Sequence, residues 1–196
     1  MPKRTIKPFR PIYPTPAGLI TSIDAEGRAN IITLGEVHNL SIARPVIVGI
    51  AMAKARYSHE LIRRCGEFVA NLPPTGLLEK VDRCGTASGR DVDKFAAFGL
   101  TPLPAERVRP PLIAECPLNL ECKLLDVQEW GDHDLFVGEV LVEHVDESAL
   151  DENGKLRIDR LDVLCYVHGE YWSLGKRLGA HGFTRKRQDG AAAGGG

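Results

Sequence analysis

Short apolar runs rich in β-branched residues, each bounded by turn residues, are the feature that most limits how this chain can fold. AGLITSI (17–23) and ANIITL (29–34) are separated by DAEGR, in which Asp24 and Gly27 favour a turn. These two runs therefore predict a β-hairpin. The run PVIVGIAMA, which begins at Pro45, is rich in Val and Ile and predicts a further buried strand.

The remaining patterns predict more strands around a few short helices. HELIRRCG predicts a helix that Gly66 ends, EFVANL predicts a strand, and LLEKVDRCG and DVDKFAAFGL have helical spacing. LNLECKLLDVQEW predicts a strand with Leu118, Leu120 and Cys122 facing inward. DLFVGEVLVEHVDE predicts a long strand after the turn GDHD, and VLCYVHGEYWSL a last β segment interrupted by Gly169. Because strands and helices do not alternate regularly, we predict a mainly β, barrel-like fold and not a doubly wound sheet.

The size and charge of the chain argue against several classes of protein. With 196 residues, 43% of them hydrophobic, the chain is long enough to bury the core of one domain. Its formal net charge of −1 argues against a broad basic surface for nucleic acid. No apolar run approaches the roughly 20 residues of a membrane span, and MPKRTIKPFRPIYPTP lacks the apolar core of a signal peptide. We therefore expect a cytoplasmic protein with no nucleic-acid or membrane partner.

The cysteines do not form a recognisable framework. There are five, an odd number, and they are scattered without a C-x-x-C pair or a zinc-like spacing. Reduced thiols and no metal site are the expected state. Cys84 precedes a polar loop, so a redox-active thiol there stays open as an alternative.

The stretch AMAKARYSHELI, which begins at Ala51, allows two interpretations. Ser58 stands before a short helical pattern and can cap it, although Leu61 occupies the position where a capping box has Glu or Gln. The same helix N-terminus, with Lys54 and Arg56 beside it, is also suited to a phosphate, since the helix dipole and both cations favour an anion. Spacing alone does not decide between a plain cap and an anion site.

Two further stretches contain candidate functional residues. In ASGRDVDKFAAFGL, Asp91 can cap the helix that contains Lys94, and Arg90 can pair with a surface carboxylate; alternatively both cations contact an anionic ligand. In GDHDLFVGEV, His133 is either a solvated turn residue or a group that handles protons. A nucleophile and base pair is not apparent, so an enzyme with these residues would depend on a cofactor for its reactivity.

Six stretches in this order resemble the flavin reductase-like family, and within it the flavoredoxin branch of FMN-binding split-barrel proteins. They are YPTPAGLITS, NIITLGEVHNLSIARPVIVGIA, ARYSHELIRRCGEFVANLP, CGTASGRDVDKFAAFGLT, PLIAECPLNLECKL and GDHDLFVGEV. The resemblance covers roughly Tyr13 to Tyr171. It implies a single-domain, Greek-key-like split β-barrel that binds flavin mononucleotide (FMN), usually as a homodimer.

The resemblance also implies positions for the cofactor. Contacts along the flavin ring and ribityl chain fall on Asn30, Thr33, Leu34 and Gly35, with Ser41 nearby. The phosphate contacts fall on Arg56, Ser58 and Lys94. His133, the candidate catalytic residue, and Tyr166 match positions near the ring. The chain departs from the family pattern at Glu36, where many relatives have an aromatic residue, and at Arg44, which replaces the first of two prolines.

The activity implied by the resemblance is transfer of electrons from NAD(P)H through FMN to an acceptor. A flavoredoxin-like electron carrier without its own nicotinamide site is one alternative, and a β-barrel interaction module without flavin is another. The expected domain limits are an N-terminal extension over 1–12, the flavin reductase-like domain over 13–180 and a flexible tail over 181–196.

Overall fold

The computed structural model describes residues 1–185 as a mainly β protein with a few short helices, so most of the expected tail lies outside the described residues. The strands are β1 Thr15–Pro16, β2 Gly18–Ile23, β3 Ala29–Leu34, β4 Val37–Ser41, β5 Ile47–Ala53, β6 Glu67–Leu72, β7 Pro102–Leu103, β8 Leu112–Ile113, β9 Leu118–Trp130, β10 His133–Val145, β11 Leu164–Val167 and β12 Glu170–Ser173. The helices are α1 Tyr57–Cys65, α2 Leu78–Thr86 and α3 Lys94–Phe98. None of the helices in this part of the chain is long and apolar enough to cross a membrane.

Seven antiparallel strands form the barrel. They are hydrogen-bonded in the order β3-β2-β6-β9-β10-β5-β4, and β2 with β3 forms the hairpin that the sequence predicts. β3 also contacts β5, which is not its neighbour in this order, so the sheet curls around one apolar interior. That interior contains Ile20, Ile32, Ile50, Phe68 and Phe136.

β2 is buried on both faces, which explains why its residues form a continuous apolar run. Ile20 belongs to the barrel interior, whereas Leu19 belongs to a second apolar cluster outside the barrel. In that second cluster Val81 of α2, Phe95 of α3 and Leu164 of β11 pack together. The helices therefore cover one side of the barrel wall, and the loop after α2 lies beside β3.

The alternation expected along β9 is only partly present. Leu118 and Cys122 are buried as the sequence predicts, but Asn119 and Glu121, which alternate with them along the strand, are buried as well. They remain on the face opposite Leu118 and Cys122, and they are buried because residues 106–113 lie over that face. A sequence pattern cannot reveal this cover, since the covering residues are distant in sequence.

The carboxylate of Glu121 anchors that covering segment. It accepts hydrogen bonds from the backbone N–H groups of Glu106 (2.8 Å) and Arg107 (2.7 Å), and it lies 2.6 Å from Nε2 of His144. Burial acts to raise the pKa of Glu121, but these hydrogen bonds outweigh it and hold the pKa below its usual value. Glu121 is therefore ionised and holds the segment on the barrel.

Glu121→Gln is expected to lower the free energy of unfolding by about 1–3 kcal/mol, because the glutamine amide nitrogen would face a backbone N–H and leave a buried donor unpaired. Denaturant unfolding measures this change. Glu143→Gln, on the exposed face of β10, is the matched control and should stay within about 0.5 kcal/mol. Equal stabilities of the two variants would contradict the anchoring role of Glu121.

The first helix starts differently from the sequence prediction. The cap position of α1 is Arg56, no side chain caps the helix, and Ser58 lies inside the first turn with 1% of its surface exposed. Of the two interpretations, the one in which Ser58 caps the helix is therefore wrong. The predicted end is confirmed, because Gly66 follows the helix in a left-handed conformation with φ of 73°.

The third helix is also capped by a different residue than predicted. Asp93, and not Asp91, precedes α3, and its carboxylate accepts hydrogen bonds from the N–H groups of Phe95 (3.1 Å) and Ala96 (3.2 Å). Asp91 lies in the loop before the helix. Both Asp91 and Asp93 are residue types that favour the N-cap position. Which of them is the cap depends on where α3 begins, and it begins at Lys94.

The last β segment consists of two strands. β11 and β12 form an antiparallel hairpin, and β1 pairs with β11 to complete a small three-stranded sheet. His168 and Gly169 make the turn, with φ of 53° and 97° respectively. The hairpin brings Tyr166 and Tyr171 opposite each other, with ring centroids 5.5 Å apart.

Candidate functional site

A groove runs along the barrel between β3, the start of α1 and the loop after α2. It consists of two cavities of about 210 Å³ and 320 Å³, whose walls share Ile32, Arg56, Gly85 and Thr86. We call the smaller cavity the cationic end and the larger one the aromatic end. The cationic end is lined by residues that include Asn30, Arg56, Ser58, Gly89, Arg90 and Lys94. The aromatic end is lined by residues that include Arg10, Gly35, Glu36, His133, Tyr166 and Tyr171.

The cationic end carries an unbalanced positive charge. Arg56, Arg90 and Lys94 line it, and none of the described residues in its wall is an aspartate or a glutamate. Arg90 has one acidic partner outside the cavity, Glu60, at 3.5 Å, so the surface pairing that the sequence predicts is present. Three cations that converge without a carboxylate form a site for an anion with several acceptor oxygens.

Lys94 is the most buried of these cations, with only 3% of its surface exposed. Its Nζ donates hydrogen bonds to the backbone carbonyls of Ile31 (2.7 Å) and Cys84 (2.6 Å). Because an ammonium group has three protons, one N–H is left for a ligand. Burial, with a smaller contribution from Arg56, lowers the pKa of Lys94 to about 8. An anion in the cavity would therefore stabilise the charged form.

Asn30 and Ser58 form a buried polar pair beside these cations. The Asn30 amide nitrogen donates a hydrogen bond to the Ser58 hydroxyl (2.7 Å), and the Asn30 carbonyl oxygen, Oδ1, is buried without a partner. Gly89 lies against that oxygen, and a Cβ at this position would overlap it and lie 2.6 Å from Asn30 Cγ. The absence of a side chain at Gly89 therefore keeps this part of the groove open.

The N-terminus of α1 supplies further donors. The backbone N–H groups of Tyr57 and Ser58 belong to the first turn of a nine-residue helix and have no partner within that helix. The positive end of the helix dipole also points to this region. Together with Lys94 and Arg56, these groups form a cluster of donors suited to a phosphate.

At the aromatic end, Gly35 allows an aromatic ring to approach the backbone closely. A Cβ on Gly35 would overlap the Tyr166 ring and lie 2.9 Å from its Cγ. Tyr171 lies behind Tyr166, and its hydroxyl donates to Asp82 (3.3 Å); burial and this carboxylate raise the pKa of Tyr171 to about 12. Two tyrosine rings, edge-to-face with an interplanar angle of 66°, therefore form an aromatic part of this wall.

Thr33 and Leu34 contribute their backbone to the groove. The Thr33 hydroxyl donates to the carbonyl of Val81 on α2, and the Leu34 side chain belongs to the barrel interior. Their side chains are thus occupied by the fold. What remains for a ligand is the polar edge of β3.

His133 lies at the rim of the aromatic end. It is the first residue of β10, and its Nδ1 is 3.0 Å from a carboxylate oxygen of Asp132. Its side chain is 31% exposed, so the ring is neither fully solvated nor buried. The structure brings it into the same groove as Tyr166 and Arg56.

Arg10 lines this groove, although no pattern in the sequence selected it. It lies in the expected N-terminal extension, yet its guanidinium forms an ion pair with Glu36 and lies 5.3 Å from the centroid of the Tyr166 ring. Tyr171 and Asp82 were also missed. A signal for Arg10 was absent because its partners are 26 and more residues away in sequence.

Two predicted residues do not join the groove. Ser41 lies at the far end of β4 beside Ile47, where its hydroxyl donates to the carbonyl of Pro45 (2.8 Å). Lys54 forms ion pairs with Glu129 (3.1 Å) and Asp134 (3.3 Å), two residues of the barrel strands, and does not line the groove.

The cysteines do not offer a second chemistry. All five are free, and Cys84, the one next to the groove, is buried. Burial raises the pKa of Cys84 to about 11, which disfavours the reactive thiolate. The expectation of reduced thiols stays a prediction.

The seven-stranded barrel has the split-barrel fold of solved flavoredoxins and an FMN-binding protein. A sequence model of the flavin reductase like domain matches residues 10–175. The chain belongs to the flavin reductase-like family.

Individual similarities agree with this membership. The structure of a flavoredoxin from Desulfovibrio vulgaris (Miyazaki F) is 31% identical with a TM-score of 0.86, and covers 93% of this chain and 99% of its own. An FMN-binding protein from Thermus thermophilus is 28% identical with a TM-score of 0.76, covering 92% and 99% respectively. An NADH:riboflavin 5'-phosphate oxidoreductase from Streptomyces pristinaespiralis is 30% identical over 63% of this chain and 67% of its own length.

Proposed function

We propose that this chain binds FMN in the groove and passes electrons from NAD(P)H to an acceptor. The observation that carries the proposal is the cationic end, where a buried lysine and two arginines converge without a carboxylate in the described wall. A phosphate monoester carries roughly two negative charges near neutral pH and supplies the missing counter-charge. Two similar proteins, the FMN-binding protein and the NADH:riboflavin 5'-phosphate oxidoreductase described above, support the same cofactor and donor.

In this proposal the residues of the cationic end hold the phosphate. Arg56 and the third N–H of Lys94 donate to its oxygens, and the Ser58 hydroxyl is oriented for donation because its oxygen already accepts from Asn30. Charge-assisted hydrogen bonds of this kind are the strongest available to the site. They fix one end of the cofactor and so set the position of the other.

The flavin, when bound, supplies the hydride chemistry, and the chain orients it. The backbone edge of Thr33 to Gly35 hydrogen-bonds the polar side of the ring system, since the side chains there are engaged elsewhere. Tyr166, on β11, would lie beside the ring. His133 is the proposed catalytic residue, which positions the substrate or moves a proton at its imidazole.

A direct test is the absorption spectrum of the purified chain before and after dialysis, followed by NAD(P)H oxidation with added FMN. The proposal expects a flavin spectrum and NAD(P)H oxidation that depends on FMN. Protein that stays colourless after incubation with FMN would overturn it and favour the interaction module without flavin.

A second candidate is an electron carrier that holds FMN tightly and has no nicotinamide site. The similarity to a flavoredoxin favours it. Bound flavin that NAD(P)H does not reduce, but a chemical reductant does, would select the carrier over the reductase.

We also propose that the chain forms a homodimer. Leu40 (49% exposed), Ile42 (87%) and Val46 (37%) lie together around the end of the edge strand β4. Such a patch on an edge strand favours association with another copy. Sedimentation equilibrium should give a dimer, and Ile42→Lys should shift it toward the monomer; monomeric native protein would contradict the proposal.

The affinity for FMN should fall as the pH rises through about 8. Lys94 in the free chain has a pKa of about 8, and a bound phosphate would raise it, so binding above this pH requires uptake of a proton. We expect several-fold weaker binding by roughly one pH unit above the Lys94 pKa, measured by quenching of flavin fluorescence. Lys94→Met cannot titrate and should lose this dependence, whereas an unchanged slope in the variant would assign it to another group.

A further inference from the structure

A buried carboxylate lies between the barrel and the first turn of α1. Asp134, near the start of β10, is only 1% exposed, and its Oδ2 lies 2.8 Å from Nε2 of His59 on α1. His59 is buried as well, with 8% of its surface exposed, and its ring contacts the Phe136 ring edge-to-face with 4.9 Å between centroids. Phe136 belongs to the barrel interior. One polar and one aromatic contact therefore hold the first turn of α1 against the barrel.

The charges around Asp134 determine which group of the pair carries the proton. Burial acts to raise the pKa of Asp134, but its contacts with His59 and Lys54 outweigh burial and hold the pKa below its usual value. Nζ of Lys54 is 3.3 Å from Oδ1, and Nη1 of Arg63 is 3.7 Å from Oδ2. Asp134 is thus ionised and can only accept, so Nε2 of His59 carries a proton and donates the hydrogen bond.

Stability alone is not a sufficient reason for a buried polar pair of this kind. Removing both groups from water costs free energy, and apolar side chains can often replace a buried ion pair without loss of stability. A buried donor and a buried acceptor must meet each other, however, because either group left unpaired is costly. The pair therefore defines one arrangement of the two elements that it joins.

Each residue of the pair is next to a residue of the proposed flavin site. His59 follows Ser58, whose hydroxyl accepts from Asn30 in the cationic end. Asp134 follows His133, which lines the aromatic end, and successive residues of a strand point to opposite faces. No side chain in the described part of the chain caps α1. The direction of its free N–H groups therefore depends on how the first turn contacts the barrel.

We propose that the buried pair of His59 and Asp134 positions the first turn of α1 for the flavin phosphate without touching the ligand. Neither side chain lines the groove. The turn is held at two successive residues, Ser58 from the groove and His59 from the barrel. Successive side chains of a helix point about 100° apart, so the two contacts together prevent the turn from rotating. This inference rests on the proposed function, because it concerns the same phosphate site.

The test compares two amides of different length at position 59 of the full chain. The amide nitrogen of His59→Gln can reach Asp134, whereas that of His59→Asn is one methylene shorter. We expect His59→Gln to bind FMN within about threefold of the native affinity, and His59→Asn to bind it about tenfold or more weaker, because a hydrogen bond to a charged group is lost. Riboflavin, which lacks the phosphate, should bind both variants within about twofold of its native affinity. Quenching of flavin fluorescence measures both ligands.

Two further variants complete the test. His59→Leu keeps an apolar contact with Phe136 but has no donor, so it should lose FMN affinity like His59→Asn, and it replaces that variant if His59→Asn does not fold. Arg63→Gln is the matched control on the same helix. Arg63 lies near Asp134 but beyond hydrogen-bond distance, so its loss should change FMN affinity by no more than about twofold.

Three results would overturn the inference and leave the FMN site standing. They are native FMN affinity in the Asn and Leu variants, a loss of riboflavin affinity as large as the loss for FMN, and a Gln variant as weak as the Asn variant. Native protein that binds neither flavin would overturn the inference together with the proposed function.

Discussion

Arg56→Gln is expected to weaken FMN binding by about ten- to a hundredfold while the chain stays folded. Arg56 lines both ends of the groove, at the start of α1, and its side chain is exposed. A hydrogen bond to a charged group contributes about 1.5–3 kcal/mol, which corresponds to roughly that change in affinity. Because Arg56 does not fill the core, the free energy of unfolding without ligand should change little.

The matched control for this prediction is Arg64→Gln. Arg64 lies on the same helix and forms an ion pair with Glu60 (3.0 Å), but it does not line the groove. Titration with FMN and thermal unfolding of both variants separate loss of the phosphate site from loss of structure. Equal affinities for FMN in the two variants would remove Arg56 from the phosphate site.

Gly89→Ala should impair FMN binding at least as strongly, for a steric reason. A Cβ on Gly89 would overlap Asn30 Oδ1 and lie 2.6 Å from Asn30 Cγ, so Asn30 must move. Its hydrogen bond to Ser58 would then break, and Asn30 and Ser58 would both lose their positions in the cationic end. We expect at least a tenfold loss of affinity, together with about 1–3 kcal/mol lower stability from the added volume.

Gly76→Ala provides the matched control for Gly89→Ala. Gly76 lies in the 3-10 turn Thr75–Leu77, and a Cβ there would meet nothing within 4 Å. Calorimetric titration with FMN should therefore leave this variant unchanged. Native affinity in Gly89→Ala would mean that the Asn30 and Ser58 pair does not contribute to the site.

The fold could be predicted largely because its strands are short apolar runs with clear turns. β2, β3, β5 and β6 lie where the sequence predicts them. The errors occur where a distant segment changes the environment. The alternation along β9 places Glu121 opposite the inward-facing residues, but residues 106–108 cover it in the folded chain. The composition around α3 does not distinguish Asp91 from Asp93 as its cap, and the structure shows that Asp93 is the cap.

The cationic end was more predictable than the aromatic end. Arg56 and Ser58 lie beside the start of one helix, and Lys94 was selected by charge, so local rules and the family resemblance pointed to the same residues. Arg10 and Tyr171 approach the groove from opposite ends of the chain. Their proximity results from the packing of the N-terminal segment and the last hairpin, which leave no periodic pattern in the sequence.

The position of Arg10 has a consequence for how this protein can evolve. Residues 1–9 and 11–14 are exposed, so this segment contributes little to the stability of the barrel. Yet its Arg10 lies over Tyr166 at the aromatic end and pairs with Glu36. Mutations in this segment can therefore change which molecules reach the aromatic end at little cost in the stability of the barrel. The ligand selectivity of the groove can thus change separately from the stability of the fold.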